Sequence, residues 1–292
     1  MRKFYLFMAA VFCAATTFTG CSDDDGGNDG SGGNGQGAGN GGSGVVVLAK
    51  KVAKVSVLND EGEVSETYLF NYDQEGRVSK IINQYGPGGG YQEEKTFSYG
   101  DNKITITEDD EESVITLKDG KAVSYTEKDG NYEDTYSFTY SGNYLYQVEN
   151  VEKHLSNGNW SVDYESKTTY NVKNGNLSSV KNVWKEEEEE AETATGFFQY
   201  GNVANNANID LGFICYDMDA SELHVLCVLG ARYQNLPASM SSRDGGWTYD
   251  VNYSYVVDKD NYVTKITMVS VEAGEGKSYR ETAVYEIVYA EN

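Results

Sequence analysis

The chain is short of positive charge, of histidine and cysteine, and of long apolar runs. Its 292 residues hold 23 Lys and Arg against 46 Asp and Glu, a net charge of −23. A field of that sign repels nucleic acid, whose binding needs Lys and Arg to displace counterions from phosphate. It disfavours an anionic membrane surface in the same way. Two histidines, His154 and His224, and four cysteines offer no zinc-type spacing, so no metal site is expected. No Gly-rich loop follows a strand to cradle a phosphate, and no Ser, Cys or His motif of a nucleophilic enzyme occurs. No cofactor is implied. Against these shortages, 39% of the residues are apolar and 13% aromatic. That is more than an acidic disordered chain carries, so most of the chain should bury a core.

The first 44 residues differ from the rest. Arg2 and Lys3 precede an apolar run from Phe4 to Phe18, and Thr19-Gly20-Cys21 follows. The run is shorter than the roughly 20 residues a membrane-spanning helix needs, so residues 1–20 read as an export signal. "FTGC" resembles a lipobox of bacterial lipoproteins, which implies cleavage before Cys21 and acylation of that residue. Phe18 stands where the usual pattern has Leu. Residues 22–44 contain four Asp, eleven Gly and no apolar side chain larger than Ala38. They cannot bury anything and form a tether reaching roughly 25 Å. "SDDD", Ser22, Asp23, Asp24 and Asp25, resembles the acidic signal that exports Bacteroidota lipoproteins to the outer face of the outer membrane. Residues 45–292 are then one folded domain, attached to the membrane only through the lipid.

Of the four cysteines, Cys13 lies in the leader and Cys21 takes the lipid, leaving Cys215 and Cys227. On one straight helix they would be roughly 18 Å apart, so a disulfide requires a turn between them. The alternative is two buried thiols packed as small hydrophobes.

From Val45 onward polar and apolar residues alternate with period two. Tyr136, Phe138 and Tyr140 share one face, and Thr135, Ser137 and Thr139 the other. The sets Tyr68, Phe70, Tyr72 and Val251, Tyr253, Tyr255 repeat the pattern. These are half-buried antiparallel strands. Tight Asp/Asn/Gly turns separate them at 73–76, 100–102, 118–120, 141–143, 173–175 and 258–261. "FNYDQEGRVSKI" (70–81) and "YVVDKDNYVTKI" (255–266) expose an internal repeat: aromatic strand, tight turn, aliphatic strand with Val-x-Lys-Ile. About fifteen strands form an all-β meander, too many for an open twisted sheet, which curls into a barrel or a strongly bent sheet. The turns alternate in kind. Those at 86–90, 108–112, 155–158, 186–190 and 272–276 are longer and acidic or Gly-rich, so one rim should be tight and the other loose and acidic. The turn at Asp258 breaks this parity unless 201–246 contributes an additional crossing.

The stretch 208–237 is continuously apolar. Asp219 with Glu222 reads as a capping box ahead of a short helix ending near Gly230, giving an apolar helical insertion at 208–230 that fills or lids the barrel; two strands are the competing reading. The repeated "YD..G.V.KI" units, "NIDL" (208–211) and "LGARYQNLP" (229–237) together resemble a Bacteroidota surface lipoprotein family of unknown function with a porin-like β-barrel fold. The resemblance covers residues 45–292 and implies a barrel; it brings no catalytic residues.

A transmembrane pore is disfavoured. The aromatic faces are interrupted by Glu66, Asp134 and Ser166, whereas a lipid-facing strand needs an unbroken apolar band of ~9–11 residues. The aromatics should face inward. Trp160, Trp184 and Trp247 could stack on sugars, though as strand residues on apolar faces they suit a core. Glu186 to Glu190 read as a solvated loop, and "DMDASE" (217–222) lacks the final calcium ligand because Val228 stands in its place. The expectation is a non-enzymatic surface protein presenting an acidic rim to a glycan, peptide or outer-membrane protein. The alternatives are a glycan hydrolase with a carboxylate pair inside the barrel or a structural or adhesive component.

Overall fold

In the computed structural model the described residues are 50–59, 61–109, 111–186, 189–206, 222–244 and 246–290. The expected leader, the tether with Cys21 and Ser22 to Asp25, and the first part of the apolar insertion with Cys215 lie outside them.

Sixteen strands follow one another: β1 Val52–Leu58, β2 Val64–Tyr72, β3 Val78–Tyr85, β4 Tyr91–Gly100, β5 Lys103–Glu108, β6 Glu111–Lys118, β7 Lys121–Asp129, β8 Tyr132–Ser141, β9 Tyr144–Ser156, β10 Asn159–Lys173, β11 Asn176–Glu186, β12 Glu192–Ala204, β13 Asn235–Asp244, β14 Trp247–Val257, β15 Val263–Gly274 and β16 Lys277–Tyr289. Each pairs antiparallel with its sequence neighbours. β16 also pairs with β1, so the sheet closes into a barrel. The count is sixteen rather than fifteen because Asn235–Asp244, inside the stretch where alternation was least regular, forms a strand. This is the additional crossing, and it returns the turn at Asp258 to the same end as the other tight turns. Helix within the expected 208–230 insertion is confined, among the described residues, to one turn, α1, Glu222–Val225.

The alternating faces sort as the chemistry requires. Phe70, Ile81, Phe97, Ile106, Ile115, Tyr136 and Ile266 point inward and are buried. Their neighbours in sequence, such as Thr135, Ser137 and Thr139, point outward.

The recurring Val-x-Lys-Ile has a geometric origin. Strict alternation would send Val78 and Ile81 to opposite faces, yet both are inward and buried. Between Asn71↔Lys80 and Tyr72↔Val78 the register shifts by one residue, making Ser79 a bulge. The same single-residue shift follows the tight turns before Ala122, Leu145, Leu177 and Val263. Each bulge adds local twist and bend, which helps a long meander curl shut.

A second device accompanies the first. Inward tyrosines donate their hydroxyls to the carbonyl just ahead of a bulge residue: Tyr72 to Val52 (2.8 Å), Tyr99 to Val78 (2.6 Å), Tyr140 to Ala122 (2.7 Å), Tyr255 to Pro237 (2.8 Å) and Tyr289 to Val263 (2.8 Å). A bulge disrupts the ladder locally, and the phenols satisfy the oxygens beside it. Burial raises the pKa of Tyr72, Tyr99, Tyr140 and Tyr289 well above the ordinary phenol range, so they remain donors at any ordinary pH.

The same end of the barrel is covered by residues 222–234, which precede β13. Leu223, Val225, Leu226, Val228 and Leu229 of this segment are buried in the common core. From Val228 the segment runs across the tips of three hairpins in turn. Val228 O accepts from Ala122 N (2.8 Å), Ala231 N donates to Asn143 O (2.7 Å), and Gln234 N donates to Gly175 O (2.9 Å). The step is three residues, about 10 Å of extended chain, and a hairpin is two strands wide, again about 10 Å. Residues 228–234 are therefore a strap whose repeat matches that of the barrel rim. Gly230 sits where strap and rim are closest. It bridges Tyr144, has φ of 85°, and a Cβ there would lie 2.5 Å from Asn143 O.

Two outcomes follow for stability in chemical denaturation. Deleting Ser79 forces either Val78 or Ile81 out of the core and should destabilise the barrel by on the order of 3 kcal/mol; Ser79→Ala should cost far less. Gly230→Ala should cost about 1–3 kcal/mol, since it adds a strained backbone conformation to a steric overlap with a backbone oxygen.

Candidate functional site: the acidic end of the barrel

Toward the end opposite the strap, the inner wall changes from aliphatic to aromatic and then to carboxylate. On β7 the inward order is Tyr125, Glu127, Asp129. On β8, read toward its start, it is Tyr136, Asp134, Tyr132, and on β9 it is Asn150, Glu152, His154. β11 continues from Trp184 to Glu186 and β15 from Ser270 to Glu272. Glu66, Glu108 and Glu281 hold corresponding places on β2, β5 and β16. Glu127, Asp134 and Glu152 lie directly opposite one another across three adjacent strands. They are half-buried, whereas Tyr125, Tyr136, Asn150 and Trp184 beneath them are buried. Among the described residues, no segment crosses this end as the strap crosses the other.

Basic side chains on this inner wall are few. Lys95 pairs with Glu108 at 3.1 Å, and His154 Nδ1 meets Asp163 Oδ1. Asn83 Nδ2 donates to Glu66 Oε1 (2.8 Å), and Tyr85, stacked on Tyr91 with centroids 5.7 Å apart, donates to Glu93 Oε1 (2.6 Å). Glu111 at the rim has its pKa raised, first by the charge of Asp129 and then by burial, a hydrogen bond to Asp129, and the charges of Glu108 and Asp109. This is like-charge crowding at an open mouth.

The outer wall has the opposite character. Cross-strand ion pairs Lys80–Glu94 (2.5 Å), Lys128–Glu133 (2.7 Å), Lys167–Glu149 (3.0 Å) and Lys265–Glu286 (3.3 Å) lie on outward faces of β3/β4, β7/β8, β9/β10 and β15/β16. Ser and Thr fill many of the positions between them.

The three tryptophans are not brought to one platform. Trp184 is buried on the inner wall, at 2% exposure. Trp247 is half-buried at the start of β14. Trp160 departs from the core expectation: it stands at the β9/β10 tip with 48% exposure, because the shift between Val162 and Tyr164 breaks the alternation beyond it. Cys227 is buried within the segment leading to the strap, and its Sγ meets Val225 O at 3.6 Å. Cys215, with which it could form a disulfide, lies outside the described residues. Among the described residues, no three of His, Cys, Asp and Glu converge on a metal position. The sequence left the 42 or so folded-part acids unsorted, yet phase would have found these: Glu127 keeps step with Tyr125, and Asp134 with Tyr136 and Phe138.

The fold has solved counterparts. A porin-like protein from Bacteroides uniformis ATCC 8492 superimposes with a TM-score of 0.61 at 22% identity, over 84% of this chain and 99% of that one. A porin-like protein from Bacteroides vulgatus ATCC 8482 gives 0.62 at 18% identity, over 83% and 100%. What is shared is the barrel. No protein-family model matches the chain, and no curated protein is significantly similar in sequence.

Glu111 supplies a pH prediction. A carboxyl raised in the folded state penalises folding where it is ionised, and the penalty disappears as pH falls through the raised value toward the ordinary 4.5. Glu111→Gln should therefore raise the melting temperature at neutral pH, with the gain over the natural chain shrinking to nothing below pH about 4.5. A gain that persists unchanged in acid would contradict the assignment to Asp129 repulsion.

Proposed function

We propose that the protein is a lipid-anchored barrel at the outer membrane that stands clear of the bilayer and takes a ligand or partner through its acidic end, without catalysing a reaction. The observation that carries this is the polarity of the two walls. Ion pairs and hydroxyls interrupt the outside, with Trp160, Val162, Phe197, Val256 and Val288 exposed among them, where a membrane-embedded barrel needs an unbroken apolar band about 25 Å tall, and each charge facing lipid near mid-depth costs about 2–4 kcal/mol. Carboxylates and aromatics line the inside of the open end, where a ligand would find them. The porin-like counterparts from Bacteroides are consistent with an outer-membrane or surface setting, and the lipobox-like "FTGC" with Ser22 to Asp25 supplies an anchor and an outward route.

The hydrolase alternative has one supporting feature, the directly opposed Glu127, Asp134 and Glu152. Glu111, whose carboxyl is raised at the same end, is not the acid such an enzyme needs: it lies at the wet rim and is held up by the charge of Asp129, not in a dry pocket such as a general acid uses.

Cell fractionation tests the anchor. Cys21→Ser should move the protein out of the membrane fraction without detergent, and its retention there would show that the barrel itself is embedded. In cells carrying the natural chain, added protease should digest the protein; protection of the folded part would overturn outward display.

A further inference from the structure

The residues ahead of β1 are fastened to the strapped end of the barrel. Lys51 O accepts from Ala290 N at 2.8 Å, which ties the residue before β1 to the residue after β16. Lys50 then lies across the end of β16. Its ammonium donates to Asp258 Oδ2, in the tight turn between β14 and β15, and Asp260 Oδ2 lies 3.9 Å away. The same ammonium stands over two rings, Tyr262 at 4.5 Å and Tyr289 at 4.8 Å, which meet edge to face with centroids 5.5 Å apart. Lys51 stands over Tyr72 at 5.1 Å. Tyr72 and Tyr289 are two of the tyrosines whose hydroxyls satisfy carbonyls beside the bulges, so the lysines rest on a fixed part of the wall. A carboxylate and two ring faces around one ammonium hold it more firmly than a lone surface ion pair would. The chain ahead of Lys50 therefore leaves the barrel at the strapped rim and not at the acidic mouth.

We propose that the strapped end is the surface this protein turns toward lipid headgroups, and the acidic end the surface it turns toward the medium. The orientation rests on the reading that Cys21 carries the anchor. β16, whose end lies under Lys50, has 13 residues; at about 3.3 Å per residue and a tilt of about 40° it lifts the mouth roughly 33 Å above Lys50. The tether's resting reach is shorter, roughly 25 Å. The strapped rim thus meets the headgroups with the tether relaxed, whereas turning the mouth to them stretches it and costs chain entropy. Charge pushes the same way. Glu108, Asp109, Glu111 and Asp129 already crowd one another at the mouth, and an anionic headgroup surface adds to that repulsion. A ligand then reaches the inner carboxylates from the medium, without passing between barrel and membrane.

Energy transfer tests the orientation, using the full lipidated chain in phosphatidylcholine vesicles that contain rhodamine-headgroup lipid as acceptor. A donor dye is attached to Asp101→Cys, in the exposed turn between β4 and β5 at the strapped end, or to Asn131→Cys, in the exposed turn between β7 and β8 at the mouth. Dye taken up by the natural chain's own cysteines is subtracted. Transfer several-fold higher from position 101 than from position 131 is the expected result. Equal transfer, or more from position 131, would overturn the proposal. Should either variant not fold, Lys259→Cys at the strapped end and Ser278→Cys at the mouth form a second pair, with the higher transfer expected from position 259 and the same reversal counting against it. Loss of the anchor reads differently. The Cys21→Ser chain should give no transfer from either position. Transfer that survives in that chain defeats the anchor reading, whereas equal transfer from the two ends of the lipidated chain defeats only the orientation.

Discussion

Closing sixteen strands into a ring sets the terms for everything else in this molecule. Closure removes the edges that would template aggregation. It also encloses more width than side chains alone fill, which is why barrels of that strand number in membranes hold an aqueous channel. The protein meets the problem differently at its two ends. At one, the chain between β12 and β13 drops Leu223, Val225, Leu226, Val228 and Leu229 into the core, and tyrosines plug the carbonyls beside the bulges. At the other, the wall turns to half-buried carboxylates, and among the described residues no segment crosses it.

The result is a barrel with ion pairs distributed over its outer wall. Hydrophobic burial, the dominant favourable term in folding, is directed inward along the strapped half. The outer surface carries Ser, Thr and charge pairs among scattered apolar residues such as Phe197 and Val256, and each pair contributes little on its own. The backbone is shared with the Bacteroides counterparts, and the proposal of a free-standing barrel rests on how side chains are distributed over its two faces.

Much of this was legible in the chain. Alternation of Tyr and Phe with Ser and Thr identified the strands and their inner faces, and Asp/Asn/Gly turns located the hairpins. The alternation of turn type anticipated two unlike rims. The strand Asn235–Asp244 escaped because "NLPASMSSRD" has few large apolar residues and no clean period, and its pairing with Phe198 and Val251 comes from neighbours distant in sequence. The repeat Val-x-Lys-Ile was visible as a pattern but not as a bulge, since its meaning lies in a register that only the partner strand defines. The inner acids were harder still. Glu127 and Glu133 are six residues apart and chemically alike, yet one faces the lumen and the other solvent. Only counting phase outward from a buried tyrosine separates them. Trp160 shows the limit of such counting, because one irregular residue in β10 resets the phase beyond it.

The strap has a consequence for how the chain assembles. The hairpins it crosses are built from contacts between neighbours in sequence, which form with little loss of chain entropy. The strap's own bonds join Val228 to Ala122 and Ala231 to Asn143, partners remote in sequence that can meet only after those hairpins exist side by side. This ordering favours β6 to β11 as a template that the later chain reads three residues at a time, delivering β13 to the outer flank of β12. The pairing of β16 with β1, the most distant in sequence, then comes at the end, as a long-range closure of the kind that slows folding. The strap is in this sense a jig: its spacing holds half the circle at the right curvature while the remaining strands complete it.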